Sequence, residues 1–205
     1  MNHWILTPEK YLKEPEVKKL RKVLEDQAIV ALTKKQKKPI RDWMIVDLAL
    51  SSGLRASELG NIKIKDIYIR KSESSLLVRN GKADKSRMVY IGKKARKHLK
   101  NFLKWKKQVR ESTKPDSCLF ISERGDRMTL SAIQKRFKHW ARVAGLDSRY
   151  SIHSTRHTYG TMLYKATKDL RLVQKQLGHS SSRITEIYAD VLPEEAKKGV
   201  NLLYV

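Results

Sequence analysis

The stretch PIRDWMIVDLALSSG, residues 39–53, carries apolar side chains on nearly every side and runs from a proline to a glycine. A helix with one polar face can lie on a surface, but one that is apolar almost all round has to be enclosed by other elements. Pro39 suits a first turn, where the missing N–H has no intrahelical partner anyway, and Gly53 suits a stop. The spacing therefore predicts a buried helix at the centre of the fold. At 205 residues a chain can bury roughly 70% of its unfolded surface, enough for one compact domain around such a helix.

The flanking segments supply the wrapping. Residues Thr7 to Leu32 read as a helix, with Thr7 before Pro8 as its cap and Val17, Leu20, Val23 and Leu24 along one stripe; the lysine-rich LTKKQKKP follows. Between Ile62 and Ile91 the period changes to alternation, in IKIKDIYI, SSLLVRN and RMVYI, separated by polar or glycine-containing turns. Helical spacing returns with Ala95, Leu99, Phe102 and Leu103, then with Leu130, Ile133, Phe137, Trp140, Ala141 and Ala144, whose intervening Lys135, Arg136, Lys138 and Arg142 are expected on the opposite face. From Ser151 the chain is helical again, with a turn at LGHSSS and a short terminal helix opened by Pro193. The expected class is mainly α with a small three-stranded antiparallel β-sheet, in a single domain over residues 1–205.

Charge narrows the partner. The chain holds 45 Lys and Arg against 21 Asp and Glu, a formal net charge of +24, which points to a polyanion. No apolar run reaches the length of a spanning helix, and MNHWILTPEKYLKEPEVKKL is not a secretory signal, so a cytoplasmic protein without membrane attachment is expected. Cys118 is the only cysteine, which excludes an intramolecular disulfide and a cysteine zinc site. No HExxH or paired-aspartate spacing suggests a metal, and no cofactor motif is present.

Four stretches concentrate residues suited to phosphate: GLRASEL at Gly53–Leu59, NGKADKSR at Asn80–Arg87, HSTRH at His153–His157 and LGHSSSRITEIYAD at Leu177–Asp190. Each alone has an ordinary reading. Arg55 could be a surface ion-pair residue, Lys82 part of an exposed hairpin turn, and Tyr188 a core aromatic at helical spacing from Ile184. His153 and His157 are four apart and could share a helix face as metal ligands, but without a third ligand a hydrogen-bonding role fits better.

Together the four stretches carry more. Arg, Gly-Lys, His-x-x-Arg-His, Leu-Gly-His and Tyr follow in this order, with His179 standing 23 residues after Arg156 and Tyr188 nine further on. This resembles the catalytic domain of the tyrosine site-specific recombinases, the phage integrase and Xer-like family, over nearly the whole chain from about Thr7. The resemblance implies that fold and a DNA recombinase that cuts and rejoins strands through a 3′-phosphotyrosyl intermediate, in integration, excision or inversion, with neither metal nor ATP. It implies Tyr188 as nucleophile, Arg55 and Arg156 as the pair gripping the scissile phosphate, Lys82 as general acid on the departing 5′ oxygen, and His153 and His179 as accessory residues. Glu58, three residues after Arg55, is a candidate to orient a guanidinium, or a simple surface pair.

The chemistry suits those residue types. A phosphodiester gains negative charge on its non-bridging oxygens during attack, and guanidiniums can clamp them through forked hydrogen bonds. Tyrosine, with an ordinary pKa near 10, needs positive charge or a base nearby, for which His153 is a candidate. A DNA-binding regulator with the same fold but no chemistry, and a type IB topoisomerase that relaxes DNA, are the alternatives.

Three departures from the family pattern stand out. The family's additional N-terminal core-binding domain is expected to be absent from this chain, as a fragment or as a single-domain member. The hairpin reads GKADK, with Ala83 where a second glycine is usual, which leaves Lys85 as a rival to Lys82. Thr155 stands where leucine is common, and is expected to affect packing under Arg156. The implied partners are double-stranded DNA, further copies of the chain in a tetrameric synapse, and accessory DNA-bending or directionality proteins. The apolar end, Val200 to Val205, either docks on a neighbouring copy or folds back on its own core.

Overall fold

A computed structural model describes residues 10–70, 73–79 and 86–189. Its elements are α1 (Glu14–Thr33), α2 (Lys37–Ser52), α3 (Ala56–Asn61), a 3-10 turn at Ile64–Asp66, β1 (Ile67–Tyr68), β2 (Ser75–Val78), β3 (Arg87–Tyr90), α4 (Lys93–Gln108), α5 (Leu130–Val143), α6 (Ile152–Thr167), α7 (Leu170–Leu177) and α8 (Arg183–Glu186). The fold is mainly helical with one three-stranded antiparallel sheet, as its class was expected to be.

Helix α2 is the hub, packed against α1, α3, α4, α5 and α6. Met44, Ile45, Val46, Leu48 and Ala49 are fully buried along consecutive positions, so every face of the helix meets protein. Its polar exceptions are paired: Asp42 accepts from Trp140 Nε1 at 2.9 Å and from Arg136 Nη1 at 2.8 Å, and Asp47 meets His98 Nδ1 at 2.9 Å. Gly53 ends the helix at φ +63, a left-handed conformation that a residue with a Cβ adopts only at a cost. A Cβ there would also lie 2.5 Å from the Tyr159 ring. This sharp stop delivers Arg55 immediately beyond the core.

Three local expectations are corrected. The first helix begins at Glu14, not near Thr7: Pro15 sits in its first turn, and the extended Lys13 cap donates its N–H to Glu16 Oε2 at 2.7 Å. Thr7 and Pro8 lie outside the described residues. The segment IKIKDIYI contributes only Ile67 and Tyr68 as strand, because Asp66 turns back to accept the Lys63 N–H and closes a 3-10 turn. On α5, Leu130 is exposed at the first position of the helix, and Arg136 leaves the solvated face to pair with buried Asp42.

The sheet order is β1-β2-β3, with Leu76 opposite Val89 and Val78 opposite Arg87. Leu76 and Val89 face the core while Met88 and Tyr90 are exposed. Alternation therefore turns Arg87 inward with Val89. Thr155 is fully buried, its hydroxyl donating to Ile152 O at 2.7 Å. The expected terminal helix at Pro193 and the apolar end from Val200 lie outside the described residues.

Candidate active site

The site is assembled where the end of α2, the start of α3, α6, the α7–α8 turn and β3 meet. Arg55 caps α3; Glu58 Oε2 accepts its backbone N–H at 2.8 Å and Glu58 Oε1 accepts its Nη1 at 3.0 Å. The Arg55 side chain remains 40% exposed. Glu58 is buried, and its carboxylate also takes a two-pronged contact from Arg87, Nη1 to Oε1 at 2.8 Å and Nη2 to Oε2 at 2.9 Å. Burial alone would raise the Glu58 carboxyl; the Arg87 fork, with help from Arg55 and Arg156, outweighs it and holds the group below the usual carboxylate range.

Arg156 lies on α6 and is 2% exposed. Its Nη1 donates to Gly53 O at 2.8 Å and its Nη2 to Leu177 O at 2.7 Å. The guanidinium thus ties the end of α2 to the end of α7. Two of its five N–H groups are used this way among the described residues. Burial, then the Arg55 charge, brings its pKa down to about 10, so it stays cationic at neutral pH.

Helix α7 stops at Gly178, φ +67, and His179 follows at once, its N–H donating to Gln174 O at 3.1 Å. His179 Nδ1 lies 3.0 Å from Thr185 Oγ1, and its ring stacks on Tyr188 with centroids 6.2 Å apart at 8°. Burial first, then the Arg156 and Arg55 charges, lower its pKa to about 4, so the ring is neutral at pH 7.

Tyr188 is 1% exposed, in a small cluster with Val173 and Leu177. Burial pushes its phenol up to about 12, against the pull of Arg156 and Arg55. The ring nitrogen beside its hydroxyl is His157 Nδ1, at 3.4 Å. His153 instead packs edge-on against His157, with centroids 4.7 Å apart. His157 is neutral, lowered to about 3 by burial and then by the His153 and Arg156 charges. The ring nitrogen within reach of the phenol therefore belongs to His157, one turn along α6 from His153, the residue expected to accept the phenol proton.

Of the expected site residues, Arg55, Glu58, His153, Arg156, His179 and Tyr188 come together; Lys82 and its rival Lys85 lie outside the described residues. Arg87 was given no role by its sequence context. The alternation of RMVYI places it on the inward face of β3, and a charge at an inward strand position requires a partner; that was the available signal. No cluster of three or more His, Cys, Asp or Glu able to hold a metal occurs among the described residues. No described helix is long and apolar enough to cross a membrane.

Residues 10–195 match the sequence profile of the phage integrase family. The chain belongs to that family. Among similar family members, tyrosine recombinase XerC of Haemophilus influenzae (strain PittEE) is 39% identical over 163 residues, which is 79% of this chain and 53% of that protein. Tyrosine recombinase XerD of Proteus mirabilis is 36% identical over 159 residues, 77% of this chain and 50% of that protein. The chain thus spans about half the length of these integrase-family relatives. Among solved structures, XerA recombinase superposes with a TM-score of 0.78 at 27% identity, covering 100% of this chain and 67% of that one. XerH site-specific recombinase bound to difH substrate, a pre-cleavage complex, gives a TM-score of 0.74 at 26% identity, covering 92% of this chain and 52% of that one.

Proposed function

We propose that this chain is the catalytic unit of a site-specific DNA recombinase that breaks and rejoins double-stranded DNA through a tyrosine ester. The observation that carries the reading is the assembly in one place of Arg156, whose guanidinium spans Gly53 O and Leu177 O, of Arg55 two residues beyond Gly53, and of His179 two residues beyond Leu177 with its ring stacked on Tyr188. Family membership and the Xer relatives support the same activity.

In the proposed reaction the Tyr188 oxygen attacks the scissile phosphorus and the bond from phosphorus to the 5′ oxygen breaks. The phenol proton passes to a base, and the leaving oxygen takes a proton from Lys82. The products are a 3′-phosphotyrosyl strand and a free 5′ hydroxyl; attack by a 5′ hydroxyl from another strand reverses the steps and frees Tyr188. One phosphoester is exchanged for another, so the balance requires no ATP. The Arg156 guanidinium and the half-exposed Arg55 fork bind the non-bridging oxygens, where charge develops. In the tautomer in which His179 Nδ1 accepts from the Thr185 hydroxyl, 3.0 Å away, the ring proton stands on Nε2 and is donated to the same oxygens.

Attack requires the phenol oxygen to leave its 1%-exposed seat. His157 Nδ1, already beside the hydroxyl, is positioned to take the proton as it goes. The exposed lysines of α4 and α5, among them Lys93, Lys97, Lys100, Lys135 and Lys138, supply contacts to the phosphate backbone. In this reading the protein works in the cytoplasm, as a tetrameric synapse on DNA, assisted by DNA-bending or directionality proteins.

A nicked duplex that traps the covalent intermediate tests the proposal. Protein covalently joined to DNA, absent in Tyr188→Phe, is the expected result. No adduct in any site-bearing duplex, with the chain joined to a core-binding domain, overturns it; site-independent relaxation of supercoiled plasmid would instead mark a topoisomerase.

A further inference from the structure

Arg87 is a charged residue at an inward strand position whose contacts are all within the protein. Its Nη1 and Nη2 engage both oxygens of Glu58 at 2.8 and 2.9 Å, and its Nε donates to Gln176 O at 3.1 Å. The side chain is 11% exposed. All three of its nitrogens are engaged inside the molecule, so it is oriented toward other site residues rather than toward a ligand.

What it holds is specific. On one side, the same carboxylate accepts both the backbone N–H and the guanidinium of Arg55, at 2.8 and 3.0 Å. On the other, Gln176 O and Leu177 O are adjacent carbonyls at the end of α7, taken by Arg87 and Arg156 respectively. Carbonyls at a helix end lack intrahelical donors and carry partial negative charge, so two cations there are favourably placed. The next residues are Gly178 and His179. A Cβ on Gly178 would lie 2.6 Å from Arg87 Cδ and 2.8 Å from Nε, so the glycine of the LGH turn is what lets Arg87 reach the carbonyl. A second tie, Tyr90 N–H to Gln176 Oε1 at 3.0 Å, joins β3 to α7 beside the first.

We infer that Arg87 is a positioning residue that sets Arg55, through Glu58, and His179, through the carboxyl end of α7, in a single register against the phosphate. The inference rests on the strand-transfer reading of the site. It requires the fork: lysine offers one point charge and cannot hold both carboxylate oxygens and a carbonyl together. It also predicts linkage with Glu58, because a carboxylate left without Arg87 releases Arg55, and removing both ends of a buried pair costs less than removing one.

The test is single-turnover formation of the phosphotyrosyl adduct on a nicked duplex, with DNA affinity and thermal melting measured on each protein. The variants are Arg87→Lys, Arg87→Met, Glu58→Gln and the Arg87→Met/Glu58→Gln double. The expected result is an adduct rate lowered on the order of 100-fold in both Arg87 variants, the scale associated with misplacing a reacting group by about 1 Å, with DNA affinity within about two-fold. The double variant should be no slower than Arg87→Met. Full rate in Arg87→Lys, or losses that multiply in the double variant, would overturn the inference. If Arg87→Met melts too low to assay, Glu58→Gln with Arg87→Lys decides by the same comparison. Absence of adduct with the unaltered protein would overturn the strand-transfer reading itself, a separate outcome.

Discussion

The hydroxyl of Tyr188 lies 3.4 Å from Nδ1 of His157, a turn-to-helix contact spanning 31 residues of sequence. The contact is long for a hydrogen bond between an O–H and a ring nitrogen. It therefore contributes little to stability, about 1 kcal/mol or less. Tyr188→Phe should keep the melting temperature within a few degrees while abolishing the covalent adduct, and calorimetry beside a gel assay on nicked DNA checks both halves. A large drop in melting temperature would show that the hydroxyl is a structural anchor.

Gly160 on α6 faces the Tyr188 ring so closely that a Cβ would lie 2.6 Å from the ring carbon bearing the hydroxyl. In an exposed helix interior Gly→Ala is favourable by up to about 1 kcal/mol. Here the clash reverses the sign, and Gly160→Ala should destabilise by roughly 1–3 kcal/mol or displace the ring. A displaced phenol loses the burial that holds its pKa at about 12 and should titrate nearer 10. Absorbance at alkaline pH reports that shift. Adduct formation by this variant should then be faster than by the parent; a slower rate at unchanged folding would count against sequestration of the nucleophile.

The buried histidines predict an acid limb in stability. His157, lowered from 6.5 to about 3, and His179, lowered from 6.5 to about 4, owe this first to burial. Between those values and 6.5 the unfolded chain binds more protons than the folded one. Their stabilising effect is therefore full above pH 6.5 and is lost as pH falls toward 4 and then 3, each by at most about 1.4 kcal/mol per pH unit. Urea midpoints at pH 7, 5 and 4 should fall steadily, and less steeply in His157→Asn. At the other extreme, Tyr188 with its raised pKa makes stability decline as pH rises from 10 to 12.

Arg156→Lys should be costly to both fold and chemistry. The guanidinium joins Gly53 O to Leu177 O, 2.8 and 2.7 Å away, and a single ammonium cannot span both. Loss of one buried charge-assisted bond predicts roughly 2–3 kcal/mol of destabilisation, measurable by urea unfolding. The adduct rate should fall by a factor on the order of hundreds, as for loss of a positioned oxyanion donor. A variant that melts normally and reacts at the parent rate would exclude Arg156 from phosphate binding.

Much was legible in the sequence because it rests on short-range chemistry. The all-round apolar 39–53 segment marked a core helix, Gly53 could stop it in a left-handed turn, and the alternation in SSLLVRN and RMVYI marked paired strands. The ordered motifs selected Arg55, His153, Arg156, His179 and Tyr188, which do assemble around one place. Sequence spacing also suggested the Arg55–Glu58 pair, since i, i+3 neighbours share a helix face. It overstated the first strand and the first helix, where a turn-forming Asp66 and Pro15 decide the boundary.

What only the tertiary structure decided are contacts between residues far apart in the chain. Arg87 meets Glu58 across 29 residues and Gln176 across 89, and no local pattern names a partner at that distance. That His157 and not His153 stands beside the Tyr188 hydroxyl depends on four positions along α6, about 1.1 turns of helix, relative to a tyrosine from another element. The depth of Tyr188 is of the same kind: one residue's burial is a property of everything packed around it, from Gly160 beneath the ring to His179 stacked above. Motifs determined which chemical groups this protein gathers at the proposed phosphate site; packing decided which of them touch, which are charged, and that Tyr188, the proposed nucleophile, is held inside.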